Sequence, residues 1–194
     1  MAKLYFNYSA MNAGKSTTLL QASFNYRERG MRTIVFTAAI DDRVEKGLVA
    51  SRIGLKGEAI AYDDATDLRA EIERKNSAGR AACVFVDEAQ FLNKTQVFQL
   101  ASAVDELHMP VLCYGLRTNF RGELFDGSKW LLALADEINE LKTICDCGAK
   151  ATMNLRVDAN GKAVKEGADI EIGGNDRYVP LCRRHFLERF NASD

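Results

Sequence analysis

The sequence predicts an α/β fold, a mostly parallel sheet flanked by helices, with a small β-hairpin appendage at its end. Three observations carry that prediction. Short apolar and β-branched runs alternate with helix-length segments over the first two thirds of the chain, the pattern of β–α units that build a parallel sheet. The run Ala81 to Val86, A-A-C-V-F-V, is almost wholly apolar, as expected of a strand covered on both faces. After Lys142 the texture changes to short runs separated by turn residues, with a late group of Cys and His.

Taken in order, Leu4 to Tyr8 is a strand-like run, and the polar stretch S-A-M-N-A-G-K-S from Ser9 to Ser16 leads into a helix over Ser16 to Arg29. That helix has apolar positions at Leu19, Leu20 and Phe24, with Arg27 and Arg29 near its end and Gly30 as its stop, an arrangement that suits the helix dipole and a glycine cap. Arg32 to Ala38 reads as a second strand. Asp41 to Gly57 has three Gly, alternating charges and no period, and reads as a long loop of a kind that is usually functional or disordered. Ala59 to Tyr62 is strand-like, and Asp64 to Asn76 reads as a helix behind an Asp cap. Ala81 to Val86 follows as a buried strand, then a helix over Lys94 to Leu107 and a further buried strand over Pro110 to Tyr114. Ligands of such a sheet gather at the carboxyl ends of its strands. His108 reads as a capping or solvated residue, and Trp130, in an apolar helical run, as core. The turn Asp-Ala-Asn-Gly at Asp158 to Gly161 suggests a hairpin. The boundary is set near Lys142, dividing the α/β domain (1–142) from the small appendage (143–194).

The chain has 194 residues, 47% of them hydrophobic and 27% charged, which fits one ordinary domain plus an appendage. A net charge of −1 and the lack of a dense Lys/Arg block argue against a nucleic-acid polymer as partner. The first ten residues carry no signal-peptide pattern, and no apolar run approaches membrane-spanning length. A cytoplasmic enzyme with no membrane partner is expected.

The loop of Ser9, Ala10, Met11, Asn12, Ala13, Gly14, Lys15 and Ser16 resembles a phosphate-binding loop. In such loops backbone N–H groups and a helix N-terminus surround the phosphates, the Lys reaches the outer phosphates, and the hydroxyl takes a Mg²⁺ site. Ser9 stands where the usual G-x-x-x-x-G-K-[ST] pattern has its first Gly, a residue that tolerates φ > 0. The other reading is a polar strand-to-helix turn with Ser as N-cap. Asp87 and Glu88 come directly after the buried strand, in V-D-E-A-Q-F with Ala89, Gln90 and Phe91. An acid there often only caps the next helix. With a phosphate loop in the same chain, the first acid becomes a Mg²⁺ carboxylate, and Glu88 a candidate base.

Of five Cys, Cys83 and Cys113 lie in apolar runs and read as core. Cys145 and Cys147, with Cys182 and His185, match a closed structural Cys₃His zinc site, although the C-x-C half is one residue shorter than usual. The alternative is three thiols and an exposed imidazole. Arg117, Phe120 and Arg121 follow a strand at the ligand edge, where Arg can neutralise phosphate and Phe can stack on a base. A solvated loop accounts for them equally well.

The ordered set S-A-M-N-A-G-K-S-T, D-D-R at Asp41 to Arg43, D-E-A-Q-F, Y-G-L-R-T-N-F-R-G-E-L-F at Tyr114 to Phe125, C-x-C, and I-G-G-N-D-R-Y-V-P-L-C-R-R-H at Ile172 to His185 resembles the type II, zinc-containing thymidine kinase family over nearly the whole chain. The resemblance implies a P-loop NTPase-type, RecA-like sheet with a zinc hairpin and a lasso. It further implies phosphorylation of thymidine and deoxyuridine by ATP at the 5′-hydroxyl in nucleotide salvage. It makes Lys15 and Ser16 phosphate and Mg²⁺ groups, Asp87 the second Mg²⁺ carboxylate, and Glu88 the base, with Ala89 and Gln90 in the cofactor-binding turn. Asp41 and Arg43 match a nucleotide-proximal element. Met11, Phe91, Phe120, Phe125 and Tyr178 match the thymidine pocket, and the backbone of Asp169, Ile170, Glu171, Ile172 and Gly173 matches a lasso over the base. The resemblance also implies a structural zinc, a homotetramer and feedback inhibition by thymidine triphosphate.

Two other readings explain the same motifs. An ATP-driven nucleic-acid motor with a zinc ribbon would require a second sheet domain and a basic surface, which this chain lacks. A zinc-ribbon binding module would keep nucleotide only as a structural ligand. The three readings differ in whether ATP turnover needs a nucleoside, a polynucleotide, or does not occur.

Overall fold

The computed structural model describes residues 1–40, 47–169 and 177–192. The first part runs β1 (Leu4–Ser9), α1 (Lys15–Glu28), β2 (Arg32–Ala38), β3 (Leu48–Ala50), β4 (Lys56–Glu58), β5 (Ile60–Tyr62), α2 (Leu68–Ser77), β6 (Ala81–Val86), a 3₁₀ turn at Ala89–Phe91, α3 (Lys94–Leu107), β7 (Val111–Leu116), α4 (Asp126–Leu134) and β8 (Glu137–Glu140). Six strands form one sheet in the order β5-β2-β6-β7-β1-β8, and every pairing in it is parallel. This order sets β6, β7 and β1 side by side. The segments that leave their carboxyl ends, the acid pair, the Arg117 to Phe125 loop and the Ser9 to Ser16 loop, therefore share one edge of the sheet.

The apolar run of β6 is explained by its two covered faces. Val84 and Val86 pack with Leu68, Ile72, Val97, Leu100 and Leu131 from α2, α3 and α4. Cys83 and Phe85, on the alternate positions, pack with Leu19, Leu20 and Val49, as the two-residue period of a strand requires. Phe24 is 48% exposed. The buried stripe of α1 is Leu19, Leu20 and Ser23, and at about 3.6 residues per turn Phe24 falls at its rim on the Leu20 side.

The stretch expected as a long loop contains structure. β3 and β4 pair antiparallel, Val49 opposite Gly57, and Val49 is buried against α1. A Cβ on Gly57 would sit 2.7 Å from Leu20 Cδ2, so the hairpin meets the helix at close range and a larger residue there would displace the Leu20 side chain. Asp41 and Arg43 lie outside the described residues. Helix α2 begins later than expected, because Asp67 is its cap, accepting from Ala70 N at 3.0 Å, while Asp63 closes a separate turn on Thr66. His108 caps α3 in the left-handed conformation, φ 52°. Trp130 is half-buried at the margin of the core, edge-on to Phe98 at 5.9 Å with Lys94 Nζ 4.4 Å from its ring centre.

After Lys142 come β9 (Thr143–Ile144), β10 (Lys150–Ala151), β11 (Met153–Arg156), β12 (Tyr178–Leu181) and α5 (Arg183–Asn191). β9 and β10 pair antiparallel, as do β11 and β12. Cys145, Ala151, Leu155, Leu181 and Phe186 form a small core of their own. The D-A-N-G turn is closed by Asp158 Oδ1, which accepts from Asn160 N at 2.8 Å and Lys162 N at 2.9 Å.

Candidate active site and metal cluster

The loop after β1 turns through two left-handed residues, Asn12 (φ 64°) and Gly14 (φ 79°). Asn tolerates that region better than most side chains, and Gly14 suits it as the residue before α1. Ser9 is the last residue of β1 and is not among the residues with positive φ. Serine is therefore unstrained where the usual pattern has glycine. Helix α1 has no side-chain cap and no acid in its first turn, so its leading N–H groups and positive dipole end face the loop. Lys15 Nζ folds back to Ser9 Oγ and Ala10 O, both at 3.1 Å. Met11 N donates to Asn154 Oδ1 of β11 at 2.7 Å, which ties the loop to the appendage.

Asp87 directly follows β6 and is 3% exposed. Its Oδ2 accepts from Ser16 Oγ at 2.9 Å, but its Oδ1 is buried with no hydrogen-bond partner. Burial, reinforced by the neighbouring Glu88 charge and opposed by Ser16, the Glu88 backbone N–H and Lys15, pushes the Asp87 carboxyl up to about 7. A buried oxygen left unpaired in this way is costly.

Glu88 adopts the left-handed conformation, φ 52°. Its carbonyl accepts from the buried Tyr62 hydroxyl at 2.9 Å, and its Oε2 accepts from Gln90 Nε2 at 2.5 Å. Gln90 Oε1 in turn accepts from Leu116 N at 3.0 Å. The 3₁₀ turn is further clamped by α4, since a Cβ on Gly127 would lie 2.4 Å from Ala89 O.

Phe91, the last residue of this turn, meets Phe125 edge to face at 5.9 Å. Phe120 is buried, with the guanidinium groups of Arg121 and Arg156 at 4.8 Å and 4.7 Å from its ring centre. Arg121 pairs with Glu123 at 3.1 Å and also with Asp169. Arg117 donates to Thr152 O at 3.3 Å beside the Tyr8 ring. Both arginines thus have partners within the fold, Arg121 on carboxylates and Arg117 on a backbone carbonyl. Tyr178 opens β12 opposite Arg156. Ile170, Glu171, Ile172 and Gly173 lie outside the described residues.

Cys145, Cys147, Cys182 and His185 converge, with one ligand atom from each within 4.8 Å of all the others. Cys145 Sγ lies 3.3 Å from His185 Nδ1, and Cys147 Sγ 3.9 Å from Cys182 Sγ. The short C-x-C spacing is accommodated by a tight turn between β9 and β10. Gly148 N donates to Cys145 O at 2.8 Å, with Gly148 at φ 79°. Cys182 precedes α5 and His185 follows in its first turn. Burial raises the Cys145 thiol, but N–H groups of Cys147 and Cys182 and the His185 ring outweigh it and bring the thiol down to about 6. A thiol so disposed to ionise suits a metal. No described helix is long and apolar enough to cross a membrane.

Three contacts were not legible in the sequence: that of Tyr62 with the Glu88 backbone, that of Gln90 with Leu116 of β7, and that of Asn154 with the loop after β1. Each acts across a distance in sequence that no local motif encodes.

The thymidine kinase family model matches residues 2–186. The chain is 62% identical over 193 residues to a thymidine kinase of Agrobacterium fabrum, covering 100% of both chains. It is 59% identical to one from Zymomonas mobilis over 99% of this chain and 100% of the relative, and 61% identical to one from Vibrio vulnificus over 97% and 98%. With a family match over nearly its full length, and with its loop, acid pair and aromatic residues at one sheet edge, the chain belongs to the thymidine kinase family.

Proposed function

We propose that this protein transfers the γ-phosphoryl group of ATP to the 5′-hydroxyl of thymidine, and of deoxyuridine, to give the monophosphate and ADP. The carrying observation is the buried, unpartnered Oδ1 of Asp87 beside Ser16 at the start of an uncapped helix. A carboxylate oxygen and a hydroxyl are the hard donors that Mg²⁺ takes, so Ser16 and Asp87 would hold it. Mg²⁺, when bound, neutralises charge on the transferring phosphates.

The protein's own groups do the rest. Backbone N–H groups from Ser9 to Ser16 surround the phosphates, Lys15 neutralises the outer ones, and Asp41 and Arg43 approach the nucleotide. Ala89 and Gln90 complete the turn beneath the acid pair. Glu88 accepts the proton of the 5′-hydroxyl as its oxygen bonds to the γ-phosphorus, and the bond to the β-phosphate oxygen breaks. Positioning and charge neutralisation supply most of the acceleration of such a transfer. Met11, Phe91, Phe120, Phe125 and Tyr178 receive the nucleoside, with the backbone of Asp169 to Gly173 along the base edge. A structural zinc on Cys145, Cys147, Cys182 and His185 orders the 143–194 unit. Cytoplasmic nucleotide salvage, a homotetramer and inhibition by thymidine triphosphate complete the proposal.

The test is a screen of nucleosides for ATP-dependent monophosphate formation. Thymidine and deoxyuridine should be phosphorylated, and purine nucleosides and deoxycytidine should be poor acceptors. ATP turnover stimulated by a polynucleotide, with no nucleotide product, would overturn the reading. Phe120→Leu, which nearly keeps volume, should raise KM for thymidine about tenfold with KM for ATP unchanged, since one base–aromatic stack is worth about 1–3 kcal/mol. Equal losses for both substrates would remove Phe120 from the pocket.

For the metal, one zinc per chain is expected by elemental analysis. Cys182→Ser should lose it and lower Tm, because metal affinity at a closed site is coupled to folding. Metal-free protein with full activity and an unchanged Tm would refute the assignment.

A further inference from the structure

We infer that Gln90 is a positioning residue for phosphoryl transfer, an amide brace that fixes the Glu88 carboxylate by anchoring it to the backbone of β7; this rests on Glu88 acting as the base. Gln90 is buried, with 2% exposure. Its two amide atoms have distinct jobs. Oε1 accepts from Leu116 N at 3.0 Å, which leaves Nε2 to donate to Glu88 Oε2 at 2.5 Å. Because a backbone N–H can only donate, this contact sets which end of the amide faces Glu88.

The brace depends on close approach of β7. A Cβ on Gly115 would lie 2.9 Å from both Gln90 N and Gln90 Oε1, so any larger residue would push the strand off the turn. Glu88 itself needs external support. Its left-handed backbone (φ 52°) is sparsely populated for a residue with a Cβ and persists where surroundings hold it. Tyr62 holds its carbonyl, and Gln90 orients its side chain. A base contributes only when it lies within hydrogen-bond reach of its proton, and misplacement by about 1 Å can cost a hundredfold. Of the common side chains of this length, Glu would keep the acceptor toward Leu116 but repel Glu88, while Met would keep the volume and lose both contacts.

The test measures single-turnover transfer rates, KM for both substrates and Tm for Gln90→Met and Gln90→Glu, each made in the wild type and in Glu88→Gln. Gln90→Met should slow transfer about tenfold or more with both KM values within about twofold, and should cost nothing further once Glu88 is already Gln. Gln90→Glu should be at least as slow although it keeps the Leu116 contact, which serves as the check if the Met variant folds poorly. Equal losses in both Glu88 backgrounds, or a rise in KM with the transfer rate preserved, would make Gln90 a merely structural tie and overturn the inference. Wild-type transfer by Glu88→Gln alone would instead overturn the base assignment, and the brace with it.

Discussion

An Asp87→Asn variant is expected to lose turnover about a thousandfold while its metal-free form melts several degrees above the wild type at neutral pH. The two effects have one origin. Asp87 Oδ1 is buried without a partner, and burial together with Glu88 raises its carboxyl from 3.8 in a free chain to about 7. Because the folded value is the higher, the favourable contribution of this group is full below about pH 3.8 and is lost as pH rises through about 7. Above that pH the fold holds a buried charge that the unfolded chain does not have to bury. Asn removes the charge and can still accept from Ser16 through its carbonyl oxygen. The Tm advantage of the variant should therefore grow from about pH 4 to about pH 7 and level off beyond it. The activity loss follows from removing a Mg²⁺ ligand, a contribution of several kcal/mol to a transfer step. Calorimetry in chelator across pH 4 to 8, paired with initial rates in saturating Mg²⁺, checks both halves. A variant that melts lower than wild type at pH 8, or that keeps a tenth of the wild-type rate, contradicts this account.

Glu88→Gln should reduce kcat by about 10² or more with KM for ATP nearly unchanged, the usual size of a general-base effect. Gln has the shape of Glu and can still accept from Gln90 Nε2, so the turn and its left-handed backbone have no reason to move. What is lost is the ability to take the hydroxyl proton. The substitution also removes one of the charges that raises the Asp87 carboxyl, so Tm should not fall. Initial rates at saturating thymidine across the pH range decide the matter, and near-wild-type turnover throughout would eliminate Glu88 as the base.

Much of this protein was legible in its sequence, for reasons that are local. The alternating runs gave β1, β2, β6, α3 and β7 because strand and helix periods are written in consecutive residues. The A-A-C-V-F-V run announced a strand with two buried faces, and Val84 and Cys83 do lie in different clusters. The acid pair could be placed at a strand end, and hence beside the Ser9 to Ser16 loop, because parallel strands deliver their following segments to one edge. The grouping of Cys145, Cys147, Cys182 and His185 was readable from residue type, since three thiols and an imidazole are the ligand set of a closed structural zinc site, and the four do converge.

Only the tertiary structure decided the rest. The β3–β4 hairpin shows no period because a single residue, Val49, carries its burial. Phe24 and Trp130 are as apolar as their neighbours in the core, yet Phe24 is exposed and Trp130 only half-buried, because their cover depends on which direction each helix presents to the sheet. Whether Ser9 could replace a glycine turned on backbone conformation, which falls in β1 here while Asn12 and Gly14 take the positive φ. Asn154 reaches Met11 across 143 positions, and Gln90 reaches Leu116 across 26. Sequence periodicity records which face of an element is buried; it does not record which polar atom from another element will lie opposite, because that is set when the sheet order and the packing of the appendage bring distant backbone within hydrogen-bond reach.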